Sequence, residues 1–372
     1  MMVAEPQATD PRNRASCRIA LDAMGGDHAP VEIIKGALLA IKEYPSVEII
    51  LVGREEDVHA QLQALHGPAG SIPARMTVHN AREVVDMTDN ALAPLRRKRD
   101  SSIRVCANLV KDGTAHAMVS AGHTGAAMTS AYKVLGTIEG VSRPALAAIV
   151  PSQAAKGYTI LLDVGANVDS KPAYLREFAV MGHFYAQMVF GIEAPRVGLL
   201  SIGEEEGKGN ELTKETFRVL KETGLNFMGN AEGRDVYNGN ADVVVCDGFT
   251  GNVVLKASEA LGEMMSKLIK QGITRSIPRK LGALLAKGVF DDLKKRTDYS
   301  EYGGAPLLGV NGGAIVCHGR SNAKAIKNAI RVARDFAVNH VDTKIREAIS
   351  ELHAREHASR LLAAEEAVGS SQ

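Results

Sequence analysis

Five times along this chain a short apolar run ends in glycine and small polar residues, and a helical pattern then begins. The five places are Ala23-Met24-Gly25-Gly26-Asp27-His28, Ser120-Ala121-Gly122-His123-Thr124-Gly125, Asp163-Val164-Gly165-Ala166-Asn167, Asp247-Gly248-Phe249-Thr250-Gly251-Asn252 and Gly309-Val310-Asn311-Gly312-Gly313. Glycine lets backbone N–H groups approach an anion, and a following helix N-terminus adds favourable partial charge. A single loop of this kind is what any tight turn requires. Five of them, carrying Asp, His, Asn and Thr, predict a polar cleft that holds a phosphate-like group. The backbone and hydroxyl donors of that cleft would be Gly25, Gly26, Gly122, Thr124, Gly125, Gly165, Thr250 and Gly251. Side-chain donors or proton carriers would be His28, His123, Asn167, Asn252 and Lys256, the last reaching back if its helix starts near Asn252. The plainer alternatives are hydrogen-bonding struts for the two histidines and an ordinary surface lysine.

Other motifs fail on spacing. Gly207-Lys208-Gly209-Asn210-Glu211-Leu212 lacks the third glycine of a dinucleotide fingerprint, and no Ser or Thr follows Lys208 as in a P-loop. The acidic run Glu204-Glu205-Glu206 reads as a solvated or hinge loop. G-x-S-x-G is absent, and Cys317-His318 are strand neighbours whose side chains point to opposite faces. The four cysteines form no C-x-x-C pair, and His353 and His357 share a helix face without a third ligand, so no metal site is expected. An enzyme built this way would transfer a group directly rather than through a covalent intermediate.

Positioning such loops requires alternating strands and helices. Strands are predicted at Ile19–Asp22, Val47–Val52, Met76–His79, Ala117–Ser120, Ala145–Val150, Thr159–Asp163, Arg196–Ser201, Asn226–Gly229, Asp242–Cys246 and Ala314–Cys317. Helices are predicted at Val31–Tyr44, Glu55–Leu65, Ser102–Lys111, Gly125–Leu135, Ala173–Phe190, Glu211–Glu222, Asn252–Lys270 and Asn322–Asn339. The alternation implies an α/β, doubly wound, mainly parallel sheet, whose ligands bind at the carboxyl ends of the strands. Residues 1–16 read as a loose tail and 17–340 as the main domain. Residues 341–372 read as an exposed C-terminal helix and tail, with Ile345, Ile349 and Leu352 on one face.

Inside the main domain, 263–297 reads as a protruding helical hairpin, with Pro278 opening its second helix. From Lys267 to Arg296 it carries nine basic residues against two acidic, in a chain with 44 Lys+Arg and 43 Asp+Glu. Lys280, Leu281, Leu284, Leu285 and Lys287 mark the face that would meet an anionic membrane or an acidic partner protein. Packing between two copies is the plainer reading. The near-zero net charge, 4% aromatics and absence of Trp argue against nucleic acid as a partner. The first sixteen residues have no apolar signal-peptide core, and the uncharged stretch Gly113–Tyr132 is too rich in Gly, Ser, Thr and His for a membrane span.

Taken together these residues have a family likeness. Ile19-Ala20-Leu21-Asp22-Ala23-Met24-Gly25-Gly26-Asp27-His28-Ala29-Pro30 resembles the opening signature of the bacterial phosphate acyltransferase (PlsX) family. Ser120–Gly125, Leu162–Asn167, Gly203–Glu211, Asp247–Asn252 and Gly309–Gly319 resemble its later motifs in the same order, over roughly residues 18–335. Arg320 stands where that pattern leads one to expect a smaller residue. The resemblance implies a Rossmann-like fold of the isopropylmalate dehydrogenase and phosphate acetyltransferase type, and a homodimer needing neither metal nor nucleotide. It implies transfer of a fatty acyl group from acyl-acyl carrier protein to inorganic phosphate. The acyl phosphate product would pass to the membrane glycerol-3-phosphate acyltransferase that starts phosphatidic acid synthesis. A cytoplasmic enzyme, peripheral at the inner face of the cell membrane, would suit that role. A short-chain acyl-coenzyme A phosphate acyltransferase and a non-catalytic phospho-ligand-binding regulator are the alternatives.

Overall fold

The computed structural model describes residues 16–66 and 72–369, so the expected tail before Ser16 lies outside the described residues. Eleven strands form one sheet: β1 (Cys17–Asp22), β2 (Val47–Gly53), β3 (Met76–Asn80), β4 (Ala117–Ser120), β5 (Ala145–Pro151), β6 (Tyr158–Leu162), β7 (Val197–Leu200), β8 (Phe227–Ala231), β9 (Val243–Val245), β10 (Ala305–Leu308) and β11 (Gly313–Val316). Their order is β3-β2-β1-β4-β11-β10-β5-β6-β9-β7-β8. Neighbours pair in parallel except at β11–β10, β10–β5 and β5–β6, which are antiparallel. Two parallel blocks, β3-β2-β1-β4-β11 and β6-β9-β7-β8, therefore run in opposite senses on either side of β10 and β5.

Side-chain alternation sets the layers. Ile19 and Leu21 of β1 pack on one face with the helices Val31–Glu43 and Ala323–Val338, while Ala20 between them faces the other. In β6, Ile160 and Leu162 pack against the helix Pro172–Phe190, and Leu161 turns to the opposite core. Because helices cover both faces, strands such as β4 and β11 are buried at every position.

Three features differ from the sequence reading. The helix expected from Asn252 begins at Gly248, because the Asp247 carboxylate accepts from the Thr250 amide at 2.9 Å and caps it there. This long helix runs to Thr274, which places Lys256 about two turns inside it rather than one. The C-terminal helix Val341–Gly369 is docked, not exposed, over its first turns: Val341, Ile345 and Ile349 are buried against the helix Pro172–Phe190, and Leu352 packs beside them. The side chain of His357 lies outside the described residues. Third, Gly309–Gly313 is the turn between antiparallel β10 and β11. It sits at the amino end of β11, opposite the loops after β1 and β4 and at the end of the sheet where β6 closes, with the Asn311 side-chain amide donating to the Leu135 and Thr137 carbonyls.

The basic segment continues the long helix through a break at Ser276 into the helices Ile277–Leu285, with Pro278 in its first turn, and Lys287–Thr297. Leu281, Leu284 and Leu285 are exposed, Leu285 at 90%. Among the described residues no helix is long and apolar enough to cross a membrane.

Candidate active site

The carboxyl ends of β1, β4 and β11 meet around a buried carboxylate. Asp22 closes β1 with no exposed surface, and its Oδ2 accepts from the Ser120 hydroxyl at 2.7 Å. The Met24 amide donates to its Oδ1 at 3.2 Å, and the Ser120 Oγ accepts in turn from the Gly122 amide at 3.1 Å. Burial pushes the Asp22 carboxyl above its ordinary range against the pull of the Ser102 and Ser120 hydroxyls. Gly25 must be glycine, since a Cβ there would lie 2.4 Å from Asp22 Oδ2 and 2.7 Å from the Gly122 amide. The Asp27 amide then donates to the Gly319 carbonyl at 2.8 Å, tying the first loop to the one after β11.

His123 caps the helix Thr124–Ser130 (Thr124 being its first residue): its Nδ1 accepts from the Ala126 amide at 3.2 Å. A neutral imidazole whose Nδ1 accepts carries its proton on Nε2, so His123 keeps a donor to offer. The first-turn amides of Thr124 and Gly125 have no acceptor inside the helix, which leaves them to an anion.

His318 is the residue the sequence reading passed over. It lies two residues past the end of β11, and its Nδ1 accepts from the Arg320 amide at 3.2 Å. Burial, then the positive charges of Lys256 and Arg320, push its imidazole below the ordinary histidine range, so it is neutral at neutral pH. The signal was present, because Cys317-His318-Gly319 is another strand end running into glycine. Pairing His318 with Cys317 obscured it. Cys317 is buried and its thiol is pushed up to about 12, so it is inert.

The loops after β6 and β9 form a second group. Buried Asp163 accepts from the amides of Leu146 (3.0 Å), Gly165 (3.2 Å), Ala166 (3.0 Å) and Asn167 (2.7 Å). The Asn167 side-chain amide donates to Asp163 at 2.9 Å and to the Pro144 carbonyl at 2.7 Å. The Thr250 hydroxyl and amide both donate to Asp247, and the Gly251 amide donates to the Asp247 carbonyl. The donors of Gly165, Asn167, Thr250 and Gly251 are thus engaged within the protein and shape the loops. Asn252 is exposed, its side chain lying over Gly165.

The long helix joins the two groups. It starts in the second, and its Lys256, paired with Glu259 at 3.0 Å, acts on His318 of the first. His28 is exposed beside Glu32. The groups that can face an anion are therefore the Gly26, Thr124 and Gly125 amides, the Thr124 hydroxyl, and the side chains of His28, His123, Asn252, Lys256 and His318. The acidic loop after β7 is occupied in surface pairs, Glu204 with Arg234 and Glu206 with Lys221, each at 2.6 Å. Among the described residues no three His, Cys, Asp or Glu converge as metal ligands.

The influence of Lys256 on His318 makes a measurable prediction. In an NMR titration the His318 ring should titrate below 6.5, and Lys256→Ala should move its midpoint upward. An unchanged midpoint would show that the two groups do not interact.

A family model described as "Fatty acid synthesis protein" matches residues 17–344. The phosphate acyltransferase of Pelotomaculum thermopropionicum is 52% identical over 338 residues, covering 91% of this chain and 96% of the relative. That of Geobacter sulfurreducens is 50% identical over 330 residues, covering 89% and 93%. Among solved structures, a phosphotransacetylase from Streptococcus pyogenes superposes with a TM-score of 0.59 at 19% identity, covering 87% of this chain and 94% of that one. A branched-chain phosphotransacylase from Enterococcus faecalis V583 gives 0.54 at 14%, covering 86% and 99%. At such low identity these structures show a shared fold.

Proposed function

The chain belongs to the phosphate acyltransferase family and is an acyl-transferring enzyme, and we propose that its donor is a long-chain acyl-acyl carrier protein. The acceptor is inorganic phosphate, and the acyl phosphate product serves a membrane glycerol-3-phosphate acyltransferase in phosphatidic acid synthesis. The observation that carries the reading is the His123 loop, which presents two unfilled helix amides and an Nε2 proton beside the interlocked loops of Asp22 and His318.

Phosphate is already anionic near neutral pH and needs no strong base. Its oxygen attacks the thioester carbon, the C–O bond forms, and the C–S bond breaks after the tetrahedral intermediate. A thiol of pKa about 8.5 is a tolerable leaving group, and the proton lost by phosphate ends on the departing thiolate. The work of the protein is to hold phosphate in line and to donate to the developing oxyanion. The Thr124 and Gly125 amides and His123 Nε2–H suit those tasks, with neutral His318 as a second donor and Lys256 supplying fixed positive charge.

Incubation with long-chain acyl-acyl carrier protein and phosphate, followed by hydroxylamine trapping, should yield acyl hydroxamate. Absence of a trapped product would refute the reading. The reaction should also proceed unaltered after EDTA treatment and without nicotinamide; activity lost to EDTA and restored by a divalent ion would reverse that expectation.

The enzyme works as a cytoplasmic homodimer that reaches the inner membrane face through its hairpin. Lys280 and Lys287 flank the exposed Leu281, Leu284 and Leu285, and each basic residue near an anionic surface contributes roughly 1 kcal/mol. Wild type should sediment with anionic liposomes, and Leu284→Glu or Lys280→Glu should weaken this. No sedimentation of wild type at low salt would remove the membrane role.

A further inference from the structure

An arginine turn stands at the edge of the His123 loop. The segment 81–100 leaves the carboxyl end of β3, the same end of the sheet from which the loops after β1 and β4 emerge. It leans over the site: a Cβ on Gly319 would lie 2.9 Å from the Met87 methyl, and one on Gly125 would lie 3.0 Å from Ala91. Next along the chain come Arg96, Arg97 and Arg99, all exposed, and among the described residues none is paired with a carboxylate.

The turn that carries them is firmly held. Pro94 is buried and Leu95 packs on the core. Arg104 Nη1 donates to the Pro94 and Leu95 carbonyls at 2.9 and 3.3 Å. Lys98, the one inward-turned cation of the run, donates to the Val84 carbonyl at 2.7 Å and to Asp89 at 2.6 Å. The nearby acids Asp86 and Asp89 are thereby taken up by Lys98, and Asp100 lies 3.8 Å from Arg82. What remains outward is three guanidinium groups on a rigid mount.

We propose that this turn docks the acidic protein that carries the acyl thioester, setting its acyl group at the His123 loop. The inference rests on the carrier reading of the preceding section. Charge complementarity picks the occupant: arginine forks pair bidentately with carboxylates. The flanking Leu92 and Leu95 are half-buried, so the turn offers no apolar side chain for insertion into lipid. Three arginines in a chain of net charge +1 are also too few for a nucleic acid track.

The test combines Arg96→Glu, Arg97→Glu and Arg99→Glu in one variant, none of them in the reacting machinery. Binding of labelled holo-acyl carrier protein is read by fluorescence anisotropy, alongside turnover with acyl-acyl carrier protein and with acyl-coenzyme A. The variant should raise both the Kd for carrier and the KM for acyl carrier about 10-fold or more, at the low end of electrostatic steering effects. Its kcat, its KM for phosphate and its use of acyl-coenzyme A should be unchanged, and the salt dependence of KM should flatten. The milder triple alanine variant should move the same way by less, which controls for misfolding. Carrier binding and KM equal to wild type would overturn the proposal, as would a variant that loses anionic vesicle binding while keeping carrier binding. If wild type binds carrier but forms no acyl phosphate, the functional reading fails while loss of binding in the variant still upholds the docking turn. If wild type turns over acyl carrier and the variant does too, the turn is refuted and the function stands.

Discussion

The His123→Ala enzyme is expected to turn over acyl donor about 10²–10³-fold more slowly than wild type, the usual cost of losing one oxyanion donor. The substitution also removes a helix cap, because His123 Nδ1 accepts from the Ala126 amide, and cap loss costs about 0.5–2 kcal/mol in stability. Asparagine separates the two effects. His123→Asn can accept from the same amide and should restore the melting temperature, yet it lacks the Nε2 proton and should stay slow. A His123→Asn enzyme with near-normal kcat at saturating phosphate would reduce His123 to a cap and move the donor elsewhere, with His318 the next candidate.

Gly251→Ala should be the most damaging small substitution in the long helix. A Cβ at that position would stand 1.9 Å from the Asp163 carbonyl oxygen and 2.8 Å from Cys246 Sγ. The carbonyl belongs to the loop that Asp163 itself organises, so relief requires the helix start to retreat from β6. Overpacking of this severity costs about 3 kcal/mol, and the melting temperature should fall by roughly 5 °C or more. Because the same helix carries Asn252 and Lys256, kcat/KM should drop as well. Gly207→Ala is the control: a Cβ there meets nothing within 4 Å, and its melting curve should overlay wild type. A Gly251→Ala protein as stable as wild type would mean that the β6 and β9 loops are not locked together as described.

The sequence pattern located ten of the strands because their apolar runs are bounded by glycine and polar residues. It missed β10, four residues long and containing Pro306, which follow a basic helical stretch and the pair Gly303-Gly304. That omission made Gly309–Gly313 look like one more strand-to-helix loop, when it is the turn between antiparallel strands. The β5–β6 reversal was more accessible, since the six residues between Pro151 and Tyr158 are too few for a parallel crossover. Within the site, residue types revealed which loops matter but not which donors are spent. Asn167 and Thr250 have the chemistry to bind an anion, and only three-dimensional contact shows that Asp163, Pro144 and Asp247 already occupy their N–H and O–H groups.

The placement of the last two strands bears on how the chain comes off the ribosome. β10 and β11 lie in the middle of the sheet, between β4 and β5. A nascent chain that has emerged only as far as residue 304 therefore exposes an unpaired edge on each of two half-built sheets. Open edges of this kind pair readily with other chains. Release before β11 emerges would produce an aggregation-prone fragment rather than a smaller working enzyme. The same order makes the candidate site a late event, since His318 and the Gly319 carbonyl that holds the Asp27 amide follow the strand that closes the sheet.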